Sequence, residues 1–341
     1  TRIGKPEILL YFDGFSGPGV YWKDEKRNST CPGSPIIVAE IANKFIESKL
    51  SREFIIITVD KRKESVEMLS TELANVNKYD QPWKAHFAEF DEAVNSLFDQ
   101  IENKSLYIPP MFIFIDPFGY AGFPLRTLKR ILKYKRTELF INFMIYDIVR
   151  FCDSKEHEHR MYDLFGCWDF KKAREYTSPE KKQLYLKNLY CEQLKESAKA
   201  RFVMPFRINT PEQGTRPRYY LIHASQNIKA LKEMKDSMAK VSDSPYQFEA
   251  IGLSSDQFSL FEDPGKISLK ERINTFCKDA YPQALEYTEI ENWSYVYTNG
   301  VKRTIKDAIV NLEQDERVEI IRKPGQKKTT VTKGATIVHL N

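Results

Sequence analysis

Short apolar runs that each end at an aspartate recur along the first third of the chain. The runs and their terminal acids are Ile8–Phe12 with Asp13, Phe54–Val59 with Asp60, and Met111–Ile115 with Asp116. Stretches with helical spacing separate these runs, so the pattern predicts βαβ units and a mostly parallel sheet covered on both faces. Because ligands lie at the carboxyl ends of the strands in such sheets, the three acids mark the expected site.

Further elements extend the same α/β pattern to residue 241. The segment 147–201 is strongly charged and predicts helices inserted between strands or lying over them. The other predicted elements are strands at Trp83–Phe90, Glu138–Phe143, Phe202–Ile208 and Arg218–Ala224, and helices at Asp91–Ile101, Pro124–Leu132 and Asn227–Val241.

A second domain is predicted after a linker at 242–266 that is rich in Ser, Pro, Gly and Asp. Residues 267–341 contain three predicted helices followed by two strands with a basic turn between them, which is the order of a winged helix. The helices are Leu269–Ala280, Ala284–Tyr295 and Thr304–Gln314, and the strands are Arg317–Arg322 and Thr336–Leu340.

Composition restricts the possible functions only modestly. The net charge of +5 is compatible with a nucleic-acid partner without indicating one. The five cysteines are scattered and form no C-x-x-C pair, so we expect neither disulfides nor a zinc site, and a reducing compartment such as the cytoplasm. No apolar run approaches the ~20 residues that span a bilayer, and the first residues do not resemble a signal peptide. For His157 and His159 we expect a solvated helix face rather than a metal site.

The segment Asp13–Gly19, DGFSGPG, is a glycine-rich turn at the end of the first strand. Gly17 and Gly19 allow the backbone to approach a small ligand, and Asp13 can accept hydrogen bonds from it. A turn that binds no ligand is the alternative. Further on, Ser34 before Pro35 predicts the N-cap and first position of a helix behind the site.

Asp60 has two possible roles. A carboxylate at the end of the second strand can bind both hydroxyls of a ribose, as in nucleotide-binding α/β folds. It can equally cap the helix that begins near Lys61. The glycine turn nearby favours the first role.

These motifs resemble those of the class I S-adenosylmethionine-dependent methyltransferases. Asp13, Phe15, Gly17 and Gly19 match the family's D-x-F-x-G-x-G motif, and Asp60 matches its ribose-binding acid. The resemblance implies a Rossmann-like methyltransferase sheet ending in an antiparallel hairpin, and S-adenosylmethionine as the cofactor. It also suggests Glu89 and Asp91 as candidates to bind the adenine amine.

A more specific resemblance is to the bacterial three-Cys-motif partner proteins. It rests on YFDGFSGPGVY at 11–21, PGSP at 32–35 and FIDPFGYAGFP at 114–124, within a similarity that covers residues 8–241. The family name implies a partner protein that carries a three-Cys motif. The large-subunit ribosomal RNA adenine-N6 methyltransferases are similar more distantly.

The tetrapeptide Asp116-Pro117-Phe118-Gly119 resembles the D-P-P-Y motif of amino-group methyltransferases. In that motif the acid and a proline carbonyl hold an exocyclic amine, and the aromatic residue stacks on the flipped base. Asp116, Pro117 and Phe118 are therefore the predicted catalytic residues. Gly119 stands where the motif has its aromatic residue, so Phe118 or Tyr120 would have to stack on the base. A strand-end turn without catalytic function is the alternative.

The C-terminal segment carries cations where a winged helix meets phosphates. Neighbouring acids, including Glu313 and Glu319, leave protein binding open as an alternative. The predicted nucleic-acid-binding residues are Lys302, Arg303, Lys306, Arg322, Lys323, Lys327 and Lys328. The sequence thus predicts a methyltransferase acting on nucleic acid, with a catalytically inactive protein that binds nucleic acid or a partner enzyme as the alternative.

Overall fold

The structure is a computed structural model that describes residues 7–23, 29–208, 219–241, 246–248 and 267–340. Most of the predicted linker, 242–266, and the polar loop at 209–217 lie outside these ranges. By internal packing the chain divides into two units, Thr1–Val203 with Ile208–Asn227, and Met204–Arg207 with Ile228–Asn341.

The strands of the main sheet follow the predicted apolar runs closely, except for the last, which falls inside the segment 242–266 that was predicted to be a linker. They are β1 (Glu7–Asp13), β4 (Ser51–Asp60), β5 (Trp83–Phe87), β6 (Met111–Ile115), β7 (Thr137–Phe143), β8 (Phe202–Ile208), β9 (Tyr219–Ser225) and β10 (Tyr246–Phe248). Strands β2 (Val20–Trp22) and β3 (Thr30–Pro32) form a separate antiparallel hairpin directly after the glycine turn, which the sequence did not lead us to expect.

The sheet has the strand order β10-β8-β9-β7-β6-β1-β4-β5. Strand β1 pairs in parallel with both β4 and β6, and β5 and β7 extend the parallel set on either side. Strand β9 is antiparallel to β7. From β1 the chain adds β4 and β5 on one side, and it then crosses back to add β6 and β7 on the other side of β1. The strand order therefore reverses between the neighbouring strands β1 and β6. A cleft opens at such a reversal, outside the carboxyl ends of the strands.

Amphipathic helices cover this sheet because their apolar residues recur at helical spacing. The central strands are consequently sealed, with Phe12, Ile56, Ile113 and Ile141 fully buried. Burial of such side chains stabilises the fold by roughly 1.5–3 kcal/mol each. The helices of this unit are α1 (Ser34–Glu47), α2 (Lys63–Val76), α3 (Phe90–Asn103), α4 (Leu125–Ile131), α5 (Ile145–Phe151), α6 (Glu158–Phe165) and α7 (Pro179–Glu196).

The second unit has its own core and contains α8 (Ile228–Val241), which we had assigned to the first domain. Lys232 pairs with Glu291, and Asp236 accepts a hydrogen bond from the hydroxyl of Tyr295 at 2.7 Å, so this helix packs on the C-terminal elements. The remaining elements are α9 (Leu269–Ala280), β11 (Leu285–Glu286), α10 (Tyr287–Tyr297), α11 (Lys302–Gln314), β12 (Val318–Ile321) and β13 (Thr336–His339). Strand β13 lies between β11 and β12 and is antiparallel to both.

Candidate functional site

A cavity of about 500 Å³ lies outside the carboxyl ends of β1, β4, β5 and β6. Its volume is in the range of cofactor and ligand sites. The loop after each of these strands contributes to the lining: Gly14 and Phe15 after β1, Asp60–Arg62 after β4, Ala88–Asp91 after β5, and Phe118 with Tyr120–Pro124 after β6. Arg126, Arg160, Asp163 and Leu164 complete the wall. The site is thus where the strand order places a ligand.

The glycine turn after β1 is fastened to the end of β4. The backbone N–H of Gly17 donates to Oδ2 of Asp60 at 2.9 Å, and Ser16 donates its N–H to the carbonyl of Val59. Gly17 and Gly19 have φ values of +61° and +80°, which favour glycine. Both are buried, and a Cβ on Gly19 would lie 2.6 Å from Leu69 Cδ1. Conformation and packing therefore account for these glycines.

Asp13 lies inside the protein rather than in the cavity. Its carboxylate is fully buried and accepts hydrogen bonds from Tyr11 Oη at 3.0 Å, Ser34 Oγ at 2.7 Å and Phe15 N at 3.2 Å. Burial raises the pKa of Asp13 to about 6, although the three donors oppose the rise. Asp13 therefore holds the glycine turn, the ring of Tyr11 and the start of α1 together.

The N-cap prediction for Ser34 is wrong. Gly33 occupies the N-cap of α1, and no side chain caps the helix there. The Ser34 hydroxyl instead donates a hydrogen bond to the Asp13 carboxylate. The helix begins one residue earlier than predicted, so Pro35 lies in its first turn at the second position rather than at the first.

Asp60 lines the cavity and retains some capacity to accept a ligand hydroxyl. Besides Gly17, it accepts hydrogen bonds at Oδ1 from Arg62 N at 2.8 Å and from Arg62 Nε at 3.3 Å. A carboxylate offers about four lone-pair positions, so one remains after these three donors. The Arg62 side chain is more than half exposed and can move away. The structure thus places Asp60 at the end of β4 as predicted, and also tied to the glycine turn.

Glu89 and Asp91 both line the cavity beyond β5, at the start of α3. Asp91 is committed to neighbours within the protein, because Arg126 donates to its Oδ2 at 2.6 Å and Thr127 and Asn95 bind Oδ1. Glu89 is exposed. Of the two acids, Glu89 is therefore the freer to meet a ligand.

Aromatic rings form an apolar wall beside these acids. Phe15, the third residue of the glycine motif, stacks on Phe90 with ring centroids 5.7 Å apart and meets Phe123 edge-on. All three line the cavity, and Phe15 is the one that remains half-buried. This wall suits a flat ligand, for which offset stacking is favourable.

The Asp116-Pro117-Phe118-Gly119 turn lies beside the cavity at the end of β6. Asn142 Nδ2 donates to Asp116 Oδ1 at 2.6 Å, whereas Oδ2 has no hydrogen bond within the described part of the chain. Partial desolvation raises the pKa of Asp116, and the bond from Asn142 opposes this. Phe118 is 88% exposed, and the guanidinium carbon of Arg62 lies 5.7 Å from its ring centroid. Asp116 and Phe118 are therefore both accessible.

Tyr120 lacks this accessibility. Its ring is almost buried against Phe151, and its hydroxyl hydrogen-bonds to Nδ1 of His157. His157 also stacks on Phe151 with centroids 4.4 Å apart, so it is half-buried in an aromatic contact, whereas His159 is exposed as expected. Phe118 is consequently the better stacking residue of the two.

Several cavity residues had no signal in the sequence. Arg62, Arg126 and Arg160 line the site, but basic residues after a strand or within a charged helix are common. Tyr21 on β2, outside the cavity lining, was also not predicted to take part in the site. Its ring covers Gly33, where a Cβ would lie 2.7 Å from Tyr21 Cε2, and its hydroxyl lies against Gly17. Only the folded hairpin brings it there.

The predicted nucleic-acid-binding residues of the second unit divide into two groups. Arg322 was predicted to bind nucleic acid, but its donors are used within the protein. Its guanidinium forms a bidentate ion pair with Glu313 at 2.5 and 2.6 Å and also donates to the carbonyls of Thr330 and Lys328. It holds the loop between β12 and β13. The exposed members are Lys302, Arg303, Lys323, Lys327 and Lys328, with Lys306 half-buried.

No protein-family model matches the chain, and no curated protein matches it. Solved structures do match. Bacillus cereus O-methyltransferase in complex with SAH is 12% identical and covers 64% of this chain and 74% of its own, with a TM-score of 0.31. The fibrillarin/Nop5p complex is 13% identical (66% and 75% covered, TM-score 0.34). Trm1 from Pyrococcus horikoshii with S-adenosyl-L-methionine is 11% identical (98% and 85% covered, TM-score 0.33).

The fold follows from the strand order itself. The order β5-β4-β1-β6-β7, continued by an antiparallel β9, is a Rossmann-like methyltransferase sheet. In the part of the chain that the structure describes, no helix is long and apolar enough to cross a bilayer, and there is no cluster of three or more metal-ligating side chains.

Proposed function

We propose that this protein is an S-adenosylmethionine-dependent methyltransferase that acts on an amino group of a nucleic acid. One observation carries the proposal: the same cavity is lined by Asp60, an acid suited to a ribose, and by Phe118, an exposed aromatic ring two residues after Asp116. Cofactor and target residues of the proposed reaction therefore meet at one place.

The residues around the cavity fit the cofactor. Asp60 has a lone pair left for a ribose hydroxyl, Phe15 offers a flat apolar surface for the adenine, and Glu89 is free to accept from the adenine amine. When bound, S-adenosylmethionine supplies an activated methyl group. Asp13, Gly17 and Gly19, which we had expected to touch the cofactor, would instead shape the turn from within.

The target side would use the turn after β6. Phe118 is free to stack on a flat base, and stacking of this kind contributes roughly 1–3 kcal/mol. Asp116 Oδ2 is available to accept a hydrogen bond from an exocyclic amine while Asn142 fixes the other oxygen. The carboxylate would thus align the nitrogen lone pair and stabilise the positive charge that develops on it. Most of the acceleration would come from this positioning.

The second unit would bind the nucleic acid. After α8 its elements run helix–strand–helix–helix–strand–strand, an order that supports a winged helix, and its β12–β13 loop carries Lys323, Lys327 and Lys328 on the surface. The Lys327→Glu/Lys328→Glu double variant should bind RNA or DNA more weakly and with a shallower salt dependence. Arg322 is not expected to contribute. From the sequence resemblance we also propose a partner protein with a three-Cys motif.

A location in the cytoplasm is a further part of the proposal. The cysteines in the described ranges, Cys31, Cys152, Cys167, Cys191 and Cys277, are all free thiols. Thiols persist in reducing compartments.

A binding protein that has lost catalysis is the second candidate. The observation that favours it is Gly119, which has a φ of +95° and replaces the aromatic residue of the D-P-P-Y motif. Such a protein would bind the cofactor and nucleic acid without transferring a methyl group.

Transfer of tritiated methyl groups to total RNA, DNA and protein distinguishes the two candidates. We expect incorporation into nucleic acid, a loss of at least 100-fold in Asp116→Ala, and a loss of about 10- to 100-fold in Phe118→Ala. Phe87→Ala is the matched control, because Phe87 is also an exposed phenylalanine at a strand end but lies outside the cavity lining. Cofactor binding without any incorporation favours the inactive protein, whereas equal activity in Asp116→Ala removes that residue from the mechanism.

A further inference from the structure

Tyr21 occupies the space directly above the glycine turn. It lies on β2, where it pairs with Cys31 of β3, and this hairpin separates the turn from α1. The Tyr21 hydroxyl lies against the Cα of Gly17, while the ring packs on Gly33. A ligand that approaches the turn therefore meets this phenol rather than the buried glycine backbone.

The Tyr21 hydroxyl is available to a ligand. The side chain is 40% exposed, and the hydroxyl makes no hydrogen bond to any residue that the structure describes. The turn beneath it connects to the cavity through Asp60, which accepts from Gly17 N and lines the cavity wall. The phenol thus covers the turn whose backbone binds Asp60, next to the cavity rather than in its lining.

The surroundings of this hydroxyl favour a positive charge. Burial raises the pKa of Tyr21, and the carboxylates of Asp13, Asp116 and Asp60 raise it further, while Arg62 opposes them. The phenol therefore stays protonated at neutral pH and keeps an oxygen that accepts hydrogen bonds. An ammonium group is the natural partner for a neutral acceptor in a field of three carboxylates.

We propose that Tyr21 is a cofactor-positioning residue whose hydroxyl accepts a hydrogen bond from the α-ammonium group of S-adenosylmethionine. This inference rests on the proposed function and extends it to a residue of the β2–β3 hairpin. Fixing the amino-acid end of the cofactor there would leave the adenosine end to Asp60 and Phe15. The hairpin would then act as part of the binding site.

Calorimetry with three ligands tests the inference. S-adenosylmethionine and S-adenosylhomocysteine both carry the ammonium group, whereas 5′-methylthioadenosine carries the adenosine and the sulfur but no amino-acid end. Tyr21→Phe should weaken the first two about tenfold and leave 5′-methylthioadenosine unchanged. Asp60→Asn should weaken all three. Tyr79→Phe is the matched control, because Tyr79 is equally exposed but precedes β5, at the end of that strand opposite to the cavity.

Three results would overturn the inference. The first is a Tyr21→Phe variant that binds S-adenosylmethionine as tightly as the wild type. The second is an equal loss for 5′-methylthioadenosine, because the substitution would then act through the shape of the turn. The third is tighter binding in Tyr21→Ala, which would make the ring an obstruction. A wild type that binds none of the three ligands contradicts the proposed function as well, whereas one that binds all three without regard to Tyr21 contradicts this inference alone.

Discussion

The buried carboxylate of Asp13 should limit the stability of this protein at neutral pH. Asp13 is the first acid of the glycine motif, yet it is fully enclosed and its pKa is raised from 3.8 to about 6. A carboxyl group with a higher pKa in the folded state than in the unfolded state binds more protons when folded. As the pH falls from 6 to 3.8, protonation of this group therefore makes folding more favourable. Above pH 6 the group is charged in the folded state, and the buried charge lowers the free energy of unfolding by its full amount.

The magnitude follows from the shift. A difference of about two pKa units corresponds to roughly 3 kcal/mol at pH 8, as an upper limit. Asp13→Asn removes the charge and can keep all three hydrogen bonds. Its Oδ1 still accepts from Phe15 N, and the hydroxyls of Tyr11 and Ser34 can reverse to accept from Nδ2.

Thermal unfolding of Asp13→Asn at pH 8 and at pH 5 is the measurement. We expect the variant to melt about 4–10 °C above the wild type at pH 8, and the gain to shrink markedly at pH 5, where wild-type Asp13 is largely protonated. Ser34→Ala is the companion variant. It removes a donor to the carboxylate and should destabilise the protein more at pH 8 than at pH 5.

Two results would refute this reasoning. One is an Asp13→Asn variant that is less stable than the wild type at pH 8, and the other is a gain that does not depend on pH. Affinity for S-adenosylmethionine gives a separate answer. The loss should be small, because Asp13 has no surface in the cavity and can act on the cofactor only through its charge. A large loss would support the direct contact that the sequence suggested.

Other substitutions test the remaining features. Gly17→Ala should lower the melting temperature by several degrees, because φ is +61° and the new methyl group meets Tyr21; an unchanged melting temperature would contradict this. Arg322→Met should destabilise the protein in denaturant titrations by about 2 kcal/mol, because the half-buried Glu313 loses its partner. Wild-type stability in this variant would show that the ion pair is not structural and that Arg322 remains a candidate to bind nucleic acid. Burial lowers the pKa of Lys235 to about 7, so wild-type stability should rise between pH 7 and 10 relative to Lys235→Met; parallel pH profiles would show that this lysine is not titrating.

Local pattern was sufficient for most of the fold. The runs Met111–Ile115 and Phe202–Ile208 were predicted with their observed bounds, and so was the helix Leu269–Ala280. The weakly alternating segment Trp83–Phe90 was harder, because its last residue begins α3 instead of ending β5. The hairpin β2–β3 was missed, since three-residue strands in a polar loop carry almost no periodicity.

The sequence by itself determined the sheet, its glycine turn and the acids at the strand ends, because apolar spacing and strand termini depend on residues close together in the chain. The tertiary structure alone decided what each polar side chain does. Asp13 turned out to be an internal anchor, Arg322 a partner of Glu313, and Tyr21 a cover over Gly17. Hydrogen-bond partners and desolvation depend on atoms that folding brings together from distant positions, and no local spacing encodes them.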